Sequence, residues 1–367
     1  MSIVETPNRQ GKQSKRAQTS RRLRMQRRSR LWRVSRMKRL TCCGRYPSGS
    51  HDGNVAVKRR NADGTGYYDG LQTCGSVWAC PVCSAIIRMR RAEEVETAVA
   101  FWIAAGGTVE FLTATVRHGL GDRLADTFNA AARGWQRGII AGRGWKDDQQ
   151  AFGIVGFVRT IEVTYGEANG WHPHIHALLF LRRALTDTQR TALHASMFKR
   201  WERSANVGKL NRDCFRLQPV TRDGNELARY LTKVQDDHGA AKSVGLEMTR
   251  HDLKVRVGRL LPFDLIEPAS DGEAWALRLW WEWESVTKGR RCLTWSKGLR
   301  DRVGLGAEKS DEEVANEDQD GEIVTMLTPA LWRQVRRHDD GPALLLDVVE
   351  TGDGAALASF LALVRSG

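Results

Sequence analysis

The chain has no apolar run approaching the roughly 18 residues of a membrane span, and its N-terminus lacks the apolar stretch of a secretory signal. A cytoplasmic protein is the expectation. No internal repeat is visible, so the fold is sought among packed domains rather than solenoids. Acid is nearly missing from residues 1–40, where Glu5 alone faces fourteen Lys and Arg. The whole chain carries a formal net charge of +14, so the remainder is almost neutral. Such a polycationic segment reads as an arm, disordered or helical only on binding, that displaces counterions from a nucleic-acid backbone.

What is present suits a soluble globular protein. Hydrophobic residues make up 41% and charged residues 27% of 367, enough for two to three domains with buried cores. In a reducing compartment the seven cysteines are more suited to metal than to disulfides.

The β-rich run at 109–116 reads as a strand, and 154–165 and 173–181 as two more joined through Gly166-Glu167-Ala168-Asn169-Gly170. Helical patterns cover 84–105, 122–141 and 186–204, the last starting at Thr186 as N-cap. A short strand at 214–220 precedes a helix carrying 226–234. The order βαββαβα predicts an α+β fold, a ferredoxin- or RRM-like antiparallel sheet with helices on one face.

Three histidines stand in His172-Pro173-His174-Ile175-His176. Side chains alternate along a strand, so His174 and His176 share a face about 7 Å apart and can grip one ion. His172 has the same parity, beside a proline that interrupts the strand edge. Glu162, within β-branched residues one strand earlier, is costly to bury without a partner. Either it completes the metal site or it pairs with an arginine. A His/carboxylate set suits Mn²⁺ and permits Mg²⁺. On the later helix Glu226, Tyr230 and Lys233 fall on one face. Lys233 there can hold a phosphate or favour the phenolate, and Glu226 can take a proton.

Taken in order, Phe111-Leu112-Thr113-Ala114-Thr115, Trp171-His172-Pro173-His174-Ile175-His176-Ala177-Leu178-Leu179 and Tyr230-Leu231-Thr232-Lys233 resemble the three motifs of HUH endonucleases. Within that superfamily the chain is most similar to plasmid rolling-circle replication initiators with a single catalytic tyrosine, over roughly residues 42–305. The resemblance implies that His174, His176 and Glu162 hold the metal. It implies that Tyr230 attacks a phosphodiester, keeps the 5′-phosphate and releases a 3′-OH primer. In that branch a glutamate one helical turn before the tyrosine activates water for the terminating cut, which is the place of Glu226. Implied partners are plasmid-origin DNA, as a single strand or hairpin, and the host helicase and polymerase.

The cysteines at Cys42-Cys43, Cys74, Cys80 and Cys83 have the spacing of a structural tetrahedral zinc site. Cys43, Cys74, Cys80 and Cys83 are assigned to it, with Cys42 the alternative for the first. Cys214 and Cys292 read as packing thiols. The domain plan is then a disordered basic arm (1–40), a zinc segment (41–91), the nuclease core (92–250), a tryptophan-rich basic helical region (251–305), an acidic linker (306–322) and a small helical end (323–367).

Four other readings compete. A transposase of the same superfamily with a zinc motif generally carries two tyrosines a turn apart, whereas the earlier position here is Glu226. A conjugative relaxase has its tyrosine ahead of the histidines. A zinc deaminase needs His-x-Glu upstream of Pro-Cys-x-x-Cys, which is absent because Ala79 precedes Cys80. From a different class, a non-enzymatic zinc DNA-binding regulator would leave Glu162, His174, His176 and Tyr230 unexplained.

Overall fold

The computed structural model describes residues 9–205, 210, 212–220, 259–317 and 319–366. In chain order its first elements are α1 (Arg9–Val34), α2 (Lys38–Cys42), β1 (Val55–Arg60), β2 (Gly66–Asp69), α3 (Pro81–Ala104) and β3 (Thr108–Thr115). Then come α4 (Leu124–Arg133), α5 (Gly142–Phe152), β4 (Ile154–Gly166), β5 (Gly170–Leu181), α6 (Asp187–Ala205), β6 (Phe215–Val220) and β7 (Arg259–Leu260). The last are α7 (Ile266–Ser270), α8 (Ala274–Thr287), β8 (Leu293–Trp295), α9 (Leu299–Arg302), α10 (Asp311–Ala315), β9 (Gly321–Leu327), α11 (Pro329–Val335), α12 (Gly341–Thr351) and α13 (Gly354–Ser366). Two compact units result, one of residues 85–265 with 282–310, the other of 1–84, 266–281 and 311–367. Among the described residues no helix is long and apolar enough to cross a membrane.

The first unit is built on an antiparallel sheet in the order β6-β3-β5-β4-β7, with β8 also paired to β4. The β4–β5 hairpin closes at Gly166 opposite Gly170. Gly170 adopts a φ of +69°, and a Cβ there would meet the carbonyl oxygen of Gly119 at 2.7 Å, so the turn needs glycine on both counts. β5 lies between β3 and β4, which is why Ile175, Ala177, Leu178, Leu179 and Phe180 are all fully buried: an inner strand has apolar neighbours on both faces.

Helix α6 begins with a reciprocal cap. Thr186 Oγ1 accepts from the Gln189 N–H at 3.2 Å, and Gln189 Oε1 accepts from the Thr186 N–H at 3.0 Å. Its Leu193, Met197, Phe198 and Trp201 are buried. Arg190 of α6 grips the buried Glu110 of β3 through two nitrogens. Glu110 and Thr113 differ by an odd step, so they face opposite ways. Helix α6 therefore covers the sheet face that Thr113 does not use. Phe157 of β4 meets Trp135 and Trp145 ring edges on that covered face too.

The second unit holds a sheet in the order β2-β1-β9, with Val55, Val57, Leu327, Leu331, Trp332, Leu345, Leu346 and Val349 in its core. Two expectations are corrected here. The basic arm is not disordered from Arg9 on: α1 buries Met25, Leu31 and Val34. Its arginines meet acids distant in sequence, Arg21 with Asp347 and Glu350, Arg27 with Glu267, and Arg33 with Asp339. The acidic stretch is not simply a linker, since β9 starts at Gly321 and pairs with β1, where Glu322 binds Arg59.

Candidate metal and nuclease site

The register of β4 on β5 sets Glu162 directly opposite His174, and Thr160 opposite His176. All share one sheet face by parity. One carboxylate oxygen, Glu162 Oε2, stands 3.1 Å from His174 Nε2 and 3.0 Å from His176 Nε2. The carboxylate side chain is 5% exposed and the two imidazoles are 12% and 7% exposed. One ligand atom from each of the three lies within 4.8 Å of the others. Two ring nitrogens and a buried carboxylate oxygen converging on one point are a donor set that fits Mn²⁺ or Mg²⁺.

The surroundings orient the ligands. Thr113 Oγ1 lies 3.1 Å from His176 Nδ1, so the other ring nitrogen, Nε2, is turned to the site when Nδ1 carries its proton. Phe111 stacks on the same ring at 5.3 Å between centroids. His174 Nδ1 is buried with no hydrogen-bond partner, leaving that ring positioned by packing and by Glu162. Arg159, three residues before Glu162, points to the opposite face and donates to Thr294 Oγ1 at 3.3 Å. Burial pushes its guanidinium down to about 10. A ladder pairing of Glu162 with Arg159 is thus not formed.

His172 is half-buried beside the site, its ring 5.2 Å from that of His174. It stacks on His118 at 4.3 Å. His118 escaped sequence reasoning because it lies in the loop after β3. Only the pairing of Thr115 with His174 carries that loop to His172. Tyr230, Glu226 and Lys233 lie outside the described residues.

The cysteine assignment converges as well. Cys43, Cys74, Cys80 and Cys83 are buried and form one four-sulfur group, while Cys42 stays outside it and is partly exposed. The sulfurs are separated by 3.7 Å for Cys43 and Cys80, 3.6 Å for Cys43 and Cys83, and 3.7 Å for Cys74 and Cys83. Four thiolates at about 2.3 Å from a central Zn²⁺ lie about 3.8 Å apart in a regular tetrahedron, so the group fits that ion. Each knuckle is set by backbone: Gly75 takes a φ of +59°, and the Ser76 and Cys83 N–H groups point to the Cys74 and Cys80 sulfurs. Hydrogen bonds from the thiols of Cys43, Cys74 and Cys80 hold the Cys83 thiol well below its usual range.

A model of a replication protein family matches residues 70–260. A curated relative from Streptomyces lividans, described as Protein rep, is 33% identical over 369 aligned residues, covering 81% of this chain and 79% of its own. A neomycin resistance protein from Streptomyces cyanogenus is 37% identical over 145 residues, a third of each chain. No solved structure matches. With a family model spanning half the chain and a relative aligned over most of it, this protein belongs to the Rep family of replication proteins.

Proposed function

We propose that the chain is a plasmid rolling-circle replication initiator, an HUH-type endonuclease that nicks one strand at an origin. The reading is carried by the two imidazole nitrogens of His174 and His176 at 3.1 and 3.0 Å from one oxygen of buried Glu162. The sheet order β6-β3-β5-β4 supports it, because a ferredoxin-like split βαβ arrangement has this order. A bound divalent cation would polarise the scissile phosphate as a Lewis acid.

The remaining chemistry belongs to the chain's own groups. The Tyr230 oxygen bonds to phosphorus while the bond to the 3′-oxygen breaks, leaving a 5′-phosphotyrosyl link and a 3′-OH primer. Lys233 stabilises the phenolate. Glu226 deprotonates water for the final hydrolytic cut. The covalent link conserves the phosphodiester for religation when a round of synthesis ends. Origin DNA, presented as a single strand or hairpin, is the substrate. The host helicase and polymerase extend the primer, and the setting is the cytoplasm. The four-cysteine group holds a structural Zn²⁺.

Incubation with circular single-stranded DNA and Mn²⁺, followed by a denaturing gel, tests the reading. Wild type should give a covalent protein–DNA adduct, and Tyr230→Phe should give none while still binding DNA. An adduct formed at the normal rate by Tyr230→Phe sinks the nucleophile assignment. Glu226→Gln should nick normally yet fail to release by hydrolysis; equal slowing of both steps contradicts the water-activation role.

A further inference from the structure

Within the unit that holds the cysteine group, two arginines share a pair of aromatic rings. The Arg45 guanidinium lies 5.8 Å from the Trp32 ring centre and 5.4 Å from that of Tyr46. The Arg336 guanidinium lies 5.6 Å from Trp32 and 5.7 Å from Tyr46. The Nε of each arginine is buried without a hydrogen-bond partner, and among the described residues no carboxylate pairs with either side chain. A third guanidinium, that of buried Arg28, also has Nε and Nη2 unsatisfied. It lies so close to Gly44, the residue before Arg45, that a Cβ there would be 2.3 Å away. Elsewhere in the unit the basic residues of α1 meet acids, as Arg21, Arg27 and Arg33 do.

The backbone beneath is fixed. Trp32 Nε1 donates to the Cys43 carbonyl at 2.9 Å and Trp332 Nε1 to the Arg45 carbonyl at 3.2 Å. Gly44 donates to the Gln72 carbonyl, and Gln72 in turn to that of Tyr46. Cys43 itself belongs to the sulfur group. Like charges held together without a counter-ion cost free energy unless an anion joins them. Burial and the charge of Arg45 both push the Arg336 guanidinium down. Tyr46 is 41% exposed, so its ring is open to a further planar group.

We propose that Arg45, Arg336, Trp32 and Tyr46 form a single-stranded DNA subsite of their own, separate in residues from the Glu162 group. The two guanidinium forks take a backbone phosphate, and a splayed base stacks on Tyr46. Stacking needs a base freed from its partner, which favours a single strand over a duplex. The inference rests on the reading that this protein works on single-stranded DNA, but it does not depend on the nicking chemistry.

The test uses the full chain without divalent metal and measures anisotropy of a labelled oligo-dT, with a duplex of equal length beside it, over a salt series. Arg45→Gln with Arg336→Gln should weaken oligo-dT binding at least about tenfold and reduce the log–log salt slope by about 0.7, the share of one single-strand phosphate contact. Tyr46→Leu, at an exposed position, should weaken oligo-dT by roughly fivefold to a hundredfold with the slope unchanged and the duplex unaffected. Wild type crosslinked to an iododeoxyuridine oligonucleotide should carry the adduct on the peptide containing Tyr46, a readout that needs no variant to fold. An unchanged slope in a double variant that keeps its zinc and its melting temperature overturns the proposal. So do adducts found only elsewhere, or equal losses on duplex and single strand with Tyr46→Leu silent. Failure of the nicking reading would appear instead as absence of the covalent adduct with these binding results intact.

Discussion

At the scale of single residues, the candidate metal site depends on which nitrogen each imidazole presents. Thr113 Oγ1 at 3.1 Å from His176 Nδ1 fixes that choice for one ring. Thr113→Val should therefore weaken Mn²⁺ binding, by about 10- to 100-fold, without removing a ligand. His174→Ala and His176→Ala should weaken it further, and His172→Ala least of the histidine changes. Titration of each variant with Mn²⁺ reads this directly, and equal affinity across the set contradicts the assignment. The cysteines offer a cleaner pair. Cys43 is buried in the sulfur group while its neighbour Cys42 lies outside it. Cys43→Ser should lose bound zinc, measured by metal analysis of the purified protein, whereas Cys42→Ser should keep it.

At the scale of elements, the sequence patterns located most of the site's framework. The strand reading at 109–116 became β3 at Thr108–Thr115, and the Thr186 cap became a reciprocal cap on α6. These features are local: alternation and capping are written in neighbouring residues. The hairpin of β1 and β2 and its pairing with β9 were not legible, because Val55 and Leu327 become partners only after more than two hundred residues of chain are packed. Helix α3 carries a further test. Burial first, and Glu93 second, push the Glu96 carboxyl from 4.5 up to about 7. The folded protein then keeps a proton that the unfolded chain releases, so this group's contribution to stability is present at low pH and is lost as pH rises through that window. Glu96→Gln should flatten the change in urea midpoint between about pH 5 and about pH 8; an unaltered difference would rule out Glu96 as its source.

At the scale of the molecule, α1 changes what its basic charge is for. Met25, Leu31 and Val34 are buried, and Arg21, Arg27 and Arg33 meet acids from residues 267–350. Deleting residues 1–40 should accordingly lower the urea midpoint, since each lost buried apolar side chain costs on the order of 2–5 kcal/mol. A loss of DNA affinity alone, with the midpoint unchanged, would restore the free-arm reading.

The sequence by itself determined the chemistry available: His174, His176, Glu162 and the four cysteines could be named because ligand types and strand parity are properties of neighbouring residues. Tertiary structure alone decided which groups meet. It chose Cys43 over Cys42, turned Arg159 away from Glu162 toward Thr294, and laid His118 on His172. Each outcome depends on sheet register and on contacts between distant segments, and those are fixed by packing the whole chain rather than by any stretch of it.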